Sequence, residues 1–165
     1  MAEIRPFSGY RYKLDRAEEL GNYISPPYDM IDEAIQERLY ATDPHNYIRI
    51  IQNRSRPTDS SNRQRHQRAS TLLHRWIEDG TIRRDPSPSV YIYRQYYTLN
   101  SIDYERTGAI VQVKLTDFDR GIVLPHEQTF DAPKADRYEH IDVLQMHTEQ
   151  VFGILNDDGD FFSIC

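Results

Sequence analysis

The stretch Leu124–Arg137, LPHEQTFDAPKADR, carries side chains that could move protons and bind charge. His126 and Glu127 directly follow a strand-like segment, so a rigid scaffold would fix the direction in which they project. A histidine titrates near neutral pH, and a glutamate can orient it or accept a proton. The pair therefore indicates general acid–base chemistry and makes His126 and Glu127 candidate catalytic residues.

The second half of the same stretch has the pattern of an anion site. Pro133 suits the first turn of a helix, and Lys134 and Arg137 would then share one face of that turn, with Asp136 beside them. The amino end of a helix is already positive, and its free N–H groups would converge with both cations on a phosphate. The alternative is a solvated turn with ordinary surface ion pairs.

The stretch SPPYDMI is the second candidate. Pro26 and Pro27 stiffen the backbone, so Tyr28 and Asp29 are presented from a loop of low conformational entropy. A rigid loop is a good holder for a catalytic carboxylate, which would be Asp29, with Tyr28 contacting the substrate. The alternative is a simple connection between elements in which Tyr28 is packed.

A run of arginines also raises the question of phosphate contacts. Its members are Arg54, Arg56, Arg63, Arg65 and Arg68. The chain has 20 basic and 26 acidic residues and a net charge of −6, whereas general nucleic-acid binders carry a basic surplus. The run is therefore interpreted as a solvated loop and helix face, and DNA is an unlikely partner.

Helices and strands that would position these candidates can be read from periodicity. Apolar residues at 69, 72, 73, 76 and 77 have the spacing of a buried helical stripe, with Asn62 as a cap and Gly80 as a stop. Further helices are predicted from a cap at Asp32 to about Tyr40, and from about Pro133 to Met146.

Strands are predicted where the period changes to two. They cover 4–7, 46–51, 89–99, 105–115 and 121–124, and a final hairpin joins 151–155 to 161–164 through an Asp-Gly turn. The predicted fold class is α+β: a mixed, mainly antiparallel sheet with two to three packed helices, with Trp76 buried against strands 89–124.

Composition excludes several classes of protein. The single cysteine, Cys165, permits no intrachain disulfide and no thiolate zinc site, and no H-E-x-x-H or glycine-rich phosphate loop is present, so no metal site is predicted. No apolar stretch approaches the roughly 20 residues needed to span a bilayer, and the start lacks the pattern of a signal peptide. These features predict a cytoplasmic protein without membrane contact.

Several stretches, in this order and spacing, resemble the bacterial and archaeal family called domain of unknown function 1015. The three most specific are MAEIRPFSGYRY, ISPPYDMI and LPHEQTFDAPKADR. The segments LLHRWIEDGTI and YIYRQYYTL extend the resemblance over nearly the whole chain. That family is similar to the ParB and sulfiredoxin-like superfamily of nucleotide-binding proteins, which includes free-serine kinases.

The resemblance implies an ATP-dependent kinase for a small hydroxyl compound, with L-serine as the candidate substrate. ATP and Mg²⁺ would be the cofactors. Lys134 and Arg137 would neutralise the phosphate, Glu127 or Asp29 would accept the proton of the attacking hydroxyl, and His126 would donate a hydrogen bond or shuttle that proton.

Typical members of the family are much longer and carry an Asp-Gly-His-His-Arg-Tyr stretch after the equivalent of the final hairpin. The expectation is therefore one domain over 1–165 that matches the amino-terminal part of the family and is incomplete as an enzyme. Two alternatives stay open: a ParB-like regulatory module that binds a nucleotide or DNA, and an inactive truncated remnant.

Overall fold

The structure is a computed structural model that describes residues 2–14, 17–126 and 130–155. Within these ranges the chain has the predicted α+β fold of helices and short antiparallel sheets. The helices are α1 (Leu20–Tyr23), α2 (Glu33–Thr42), α3 (Ile48–Ile51), α4 (Asn62–Glu78) and α5 (Asp131–Leu144). The strands are β1 (Ile4–Arg5), β2 (Tyr10–Tyr12), β3 (Ile82–Arg84), β4 (Tyr91–Leu99), β5 (Ile102–Ile110) and β6 (Gln112–Val113).

The main core lies where α4 packs against α3, α5 and β3. Its buried members are Ile50, Ala69, Leu73, Trp76, Ile82 and Leu144. Trp76 is 2% exposed, as the helical spacing predicted. Its surroundings differ from the prediction, because it packs beside Tyr12, with ring centroids 6.1 Å apart, and near β3 rather than against strands 89–124.

The ends of the two main early helices follow from local chemistry. Asp32 caps α2, since its Oδ1 accepts a hydrogen bond from the N–H of Ile35 at 2.7 Å. At α4 the cap position belongs to Ser61, and Asn62, the predicted cap, is the first helical residue. Gly80 follows α4 with φ +81°, a left-handed conformation that favours glycine and ends the helix as predicted.

The segment Asn46–Ile51 was predicted to be a strand, and this prediction is wrong. Residues Ile48–Ile51 form the helical turn α3. The cause is Asn46, which is fully buried: its Oδ1 accepts from the N–H of Ile48 at 3.0 Å, and its Nδ2 donates to two carbonyls of the chain near α1. A local hydrogen bond from the backbone to the Asn46 side chain therefore favours a turn over the strand preference of the three isoleucines.

The longest antiparallel pairing is the hairpin of β4 and β5, which confirms the predicted strand over 89–99. Asn100 and Ser101 make its two-residue turn, both with positive φ, as tight hairpins require. The predicted strand over 105–115 is divided, because β5 ends at Ile110 and β6 pairs separately with β1.

Two further predicted strands are absent from the described residues. Over Gly121–Leu124 the chain is irregular, because Gly121 has φ +63° and closes a 3-10 turn at Phe118–Arg120. Over Val151–Leu155 the backbone forms no strand, and the predicted partner over 161–164 and its Asp-Gly turn lie outside the described residues.

The core assignment predicts unequal effects for two leucines. Leu144 is 1% exposed and Leu115 is 97% exposed. Leu144→Ala is expected to lower the free energy of unfolding by about 2–5 kcal/mol, because it leaves a cavity between α4 and α5. Leu115→Ala is expected to change it by less than about 0.5 kcal/mol. Urea unfolding of both variants tests this, and equal losses would contradict the assignment.

Candidate functional site

Helix α5 presents the second half of the LPHEQTFDAPKADR motif. It begins at Asp131, two residues before the predicted Pro133, which lies in its first turn. Lys134 is 62% exposed, and its Nζ lies 3.0 Å from the Asp131 carboxylate. Arg137 is different: its side chain is only 16% exposed and is held by several groups of the protein. The two predicted cations therefore have distinct environments.

The loop around Tyr28 and helix α5 meet at Arg137. The guanidinium carbon of Arg137 lies 4.4 Å from the centroid of the Tyr28 ring, a cation–π contact. Arg137 Nη1 also donates to the carbonyl of Ile51 at 3.3 Å. Tyr28 itself packs on the small cluster of Ile31, Ile48 and Ile51. Two segments about a hundred residues apart in sequence are thus adjacent in space.

Asp136 is the centre of the polar cluster between α4 and α5. Its Oδ1 accepts from Arg65 Nη2 at 2.9 Å and lies 3.2 Å from His66 Nε2. Its Oδ2 accepts from Arg137 Nη2 at 2.6 Å. One carboxylate therefore joins two residues of α4 to one of α5. We call Tyr28, Arg65, His66, Asp136, Arg137, His140 and Glu149 the Asp136 cluster.

Two buried histidines continue the cluster into the core. His66 Nδ1 lies 3.1 Å from His140 Nδ1, and His140 Nε2 lies 3.1 Å from Thr148 Oγ1. The carbonyl of Thr148 accepts from the hydroxyl of Tyr47 at 2.7 Å. The polar contacts therefore connect α4, α5, the segment after α5 and the turn before α3.

The pKa values of this cluster follow from burial and from its arginines. Burial, then the charges of Arg137 and His66, lower the pKa of His140 to about 4. Burial also lowers the pKa of His66. Burial alone would raise the pKa of Asp136, but the hydrogen bond from Arg137 and the charges of Arg137 and Arg65 outweigh it and hold that pKa below its usual value. At neutral pH the cluster therefore holds a carboxylate and two uncharged imidazoles.

The other predicted site residues lie apart from this network or outside the described residues. Asp29 is exposed in the 3-10 turn Tyr28–Met30, and His126 is exposed in an irregular segment. Glu127 lies outside the described residues. Of the predicted set, the structure brings together Tyr28, Asp136 and Arg137: Arg137 contacts both of the other two residues.

Sequence reasoning missed Arg65, His66 and His140, although a signal for the two histidines was present. His66 lies three residues before Ala69, on the buried stripe of α4, and His140 lies four residues before the buried Leu144 on α5. A polar residue at a core position of an amphipathic helix indicates a buried polar network. Arg65 had no such signal beyond its place in the arginine run.

Two concavities of the described surface lie elsewhere. One of about 410 Å³ is at the tip of the β4–β5 hairpin, beside Tyr97 and Tyr104, and one of about 290 Å³ is at the end of α5, beside Tyr138 and Met146. Both are open and shallow, and the Asp136 cluster lines neither. The Asp136 cluster is the better candidate for a functional site than either concavity, because it combines charge, burial and convergent hydrogen-bond donors.

The family model described as "Protein of unknown function (DUF1015)" matches residues 4–165. The match covers nearly the whole chain, so the chain belongs to this family. No curated protein and no solved structure matches the chain. Among the described residues, no helix is long and apolar enough to cross a membrane, and no three histidine, aspartate, glutamate or cysteine side chains are grouped to hold a metal ion.

The pKa of His140 predicts how stability depends on pH. A group whose pKa is about 4 when folded and about 6.5 when unfolded stabilises the fold fully above pH 6.5, and this contribution is lost as pH falls toward 4. Between pH 7 and pH 5 the free energy of unfolding should fall by about 2 kcal/mol from this residue. Urea unfolding of the unaltered chain and of His140→Asn at both pH values measures it. An equal pH dependence in both proteins would contradict the assignment.

Proposed function

We propose that this chain binds ATP and takes part in phosphoryl transfer to the hydroxyl group of a small molecule, as the amino-terminal part of a kinase. One observation carries the proposal: Arg137 of the α5 motif lies against Tyr28 of the proline-stiffened loop. Phosphoryl transfer requires cations at the phosphate close to a group that can accept the hydroxyl proton. These two segments contain both kinds of group.

Each residue has a distinct role in this proposal. Arg65 and Arg137 would bind the phosphate, because their guanidinium groups are preorganised around Asp136. Lys134 would leave Asp131 and add a third cation, since its present ion pair is exposed and weak. Asp29 or Glu127 would accept the proton, with His126 as the alternative shuttle. The family resemblance makes L-serine the first substrate to test.

Mg²⁺ would arrive with the nucleotide in this proposal. Among the described residues, no three histidine, cysteine, aspartate or glutamate side chains are grouped to hold a metal ion. This fits the usual binding of Mg²⁺, which keeps several waters and is coordinated largely by the phosphates of the nucleotide. The bound ion would supply charge neutralisation at the phosphates, and the chain would supply the two arginines.

DNA binding is the weaker alternative, because the chain has a net charge of −6 and four of the five arginines of the run form ion pairs within the protein. Arg54 pairs with Glu37, Arg63 with Asp142, Arg65 with Asp136, and Arg68 with Asp59. A protein that binds DNA through such arginines must break these pairs, and the affinity gained from counterion release would be reduced accordingly. We favour a small phosphate ligand, because it would need only Arg65 and Arg137, whereas a nucleic-acid backbone would require several of these ion pairs to open.

Two exposed lysines provide a matched test of the phosphate site. Lys134 and Lys114 are 62% and 64% exposed, and each has one ion pair with a nearby carboxylate. Lys134→Ala should weaken ATP binding about five- to tenfold, as expected for the loss of one charge-assisted contact. Lys114→Ala should bind ATP like the unaltered chain, and both should unfold within about 1 kcal/mol of it.

Calorimetric titration with ATP and Mg²⁺ measures these affinities. No ATP binding by the unaltered chain, or equal binding by the two variants, would overturn the proposal. A second arm follows ADP release with L-serine present. ATP binding without transfer to L-serine or another hydroxyl compound would instead support the regulatory nucleotide-binding module.

A second prediction concerns Glu149, whose carboxylate lies 3.6 Å from Arg137 Nη1. That distance is longer than an ordinary hydrogen bond, so Glu149 is the partner of Arg137 that a phosphate can replace. Glu149→Gln removes one negative charge that competes with ATP, and it should tighten ATP binding about threefold or more at low salt. The same titration measures this change. Weaker binding would mean that ATP does not approach Arg137 from this side.

A further inference from the structure

Three contacts lead from Asp136 through His66 and His140 to Thr148. While both histidines are neutral, only one arrangement of donors and acceptors makes all three contacts hydrogen bonds. The carboxylate of Asp136 accepts, so the proton between it and His66 resides on His66 Nε2. Nδ1 of His66 is then an acceptor, and the 3.1 Å contact with His140 requires the proton on His140 Nδ1. His140 Nε2 in turn accepts from the hydroxyl of Thr148. Each of the three contacts thus has one proton, and every nitrogen and oxygen atom in it has a partner.

We propose that His66 and His140 are positioning residues for the phosphate site: as a neutral, directional pair they hold Asp136 in the orientation that aims Arg65 and Arg137. This inference rests on the proposed function and adds two residues to it. The pair accepts no second proton on its facing Nδ1 atoms without breaking the 3.1 Å contact. Its protonation state is therefore coupled to the geometry of the two arginines.

Charged and titratable groups face the pair from every element around it. Helix α4 contributes Arg63 and Arg65, and α5 contributes Asp136, Arg137 and Glu139. The segment after α5 contributes Glu149, which contacts Arg137, and the turn before α3 contributes Tyr47. The arginines disfavour a cationic imidazole, and the carboxylates of Asp136 and Glu139, 3.2 and 3.9 Å from His66 Nε2, favour one. Burial tips the balance toward the neutral form.

A purely structural role would not require this chemistry. Two apolar side chains would fill the same space between α4 and α5 without removing imidazole groups from water. The histidines instead give Asp136 a donor from the core side while leaving its remaining lone pairs to Arg65 and Arg137. A third fixed donor restricts the carboxylate to one orientation, and thereby restricts both guanidinium groups.

The first test uses the unaltered 165-residue chain. Long-range ¹H–¹⁵N spectra at pH 7 should show His66 protonated at Nε2 and His140 protonated at Nδ1, the tautomer that free histidine favours less. His74, exposed on the outer side of α4, is a second case: its Nδ1 lies 2.8 Å from the carbonyl of Ser70, which only accepts, so it should also be protonated at Nδ1. An Nε2 proton on His140, or a charged imidazole at either position, would overturn the directional pair.

The second test compares His140→Leu with His140→Asn in ATP titrations between pH 8 and pH 5.5. Leu removes the donor to His66, whereas the side-chain N–H₂ of Asn can donate from nearly the same place. His140→Leu should weaken ATP binding about tenfold, and the ratio of its dissociation constant to that of the unaltered chain should change about threefold or more across this pH range. His66, freed at Nδ1, then takes up a proton. Because ATP titrates in the same way in both experiments, the ratio of the two dissociation constants removes its contribution.

His140→Asn should restore most of the affinity and a nearly constant ratio, and His74→Gln should match the unaltered chain throughout. A ratio that is constant with pH in His140→Leu, or no rescue by Asn, would reduce the pair to a structural role and overturn the proposal. If the unaltered chain binds ATP but all histidine variants bind equally well, only the positioning claim fails. If the unaltered chain binds no ATP at any pH, the proposed function fails and the positioning claim fails with it.

Discussion

The carboxylate of Asp136 is the interaction on which the rest of the site depends. It is partly buried and is held by Arg65 and His66 from α4 and by Arg137 from its own helix. Such a carboxylate stays ionised only because these donors compensate for its loss of water. The packing of α4 on α5 therefore has a polar centre as well as an apolar core. If that centre were removed, two arginines would lose their common anchor.

Contacts lead from Asp136 both toward the surface and toward the core. Toward the surface, Arg137 reaches the Tyr28 ring and links α5 to the proline-stiffened loop. Toward the core, His66 and His140 connect Asp136 to Thr148 through successive hydrogen bonds. Under the proposed function, Arg65 and Arg137 would offer cations to a phosphate, and the two histidines would restrain the carboxylate that orients these arginines. Burial lowers the pKa values of both histidines, so neither imidazole adds positive charge beside Arg65 and Arg137 at neutral pH.

Sequence periodicity predicted the parts of the fold that bury one face in a regular way. The stripe around Trp76 identified α4 for this reason, whereas β4 was identified from the period of its sequence although most of its side chains are exposed. It failed at Ile48–Ile51, where the buried side chain of Asn46 accepts a hydrogen bond from the N–H of Ile48 and favours a turn. Some residues of the Asp136 cluster were named from the sequence, although their role as a site stays a prediction. Tyr28, Asp136 and Arg137 were named from motifs. His66 was missed, because its place on the buried stripe of α4 indicates burial but does not identify its partners, which are about 70 residues away.

The most direct measurement compares ATP affinity in Asp136→Asn and Asp142→Asn. Both residues pair with arginines of α4, but Asp142 contacts only the exposed Arg63 among the described ion pairs. If Asp136 orients Arg65 and Arg137, its loss should weaken ATP binding about tenfold despite the removal of a negative charge, and Asp142→Asn should bind nearly as the unaltered chain does. Tighter binding by Asp136→Asn would show that the carboxylate competes with phosphate instead of orienting the arginines, and would contradict the account.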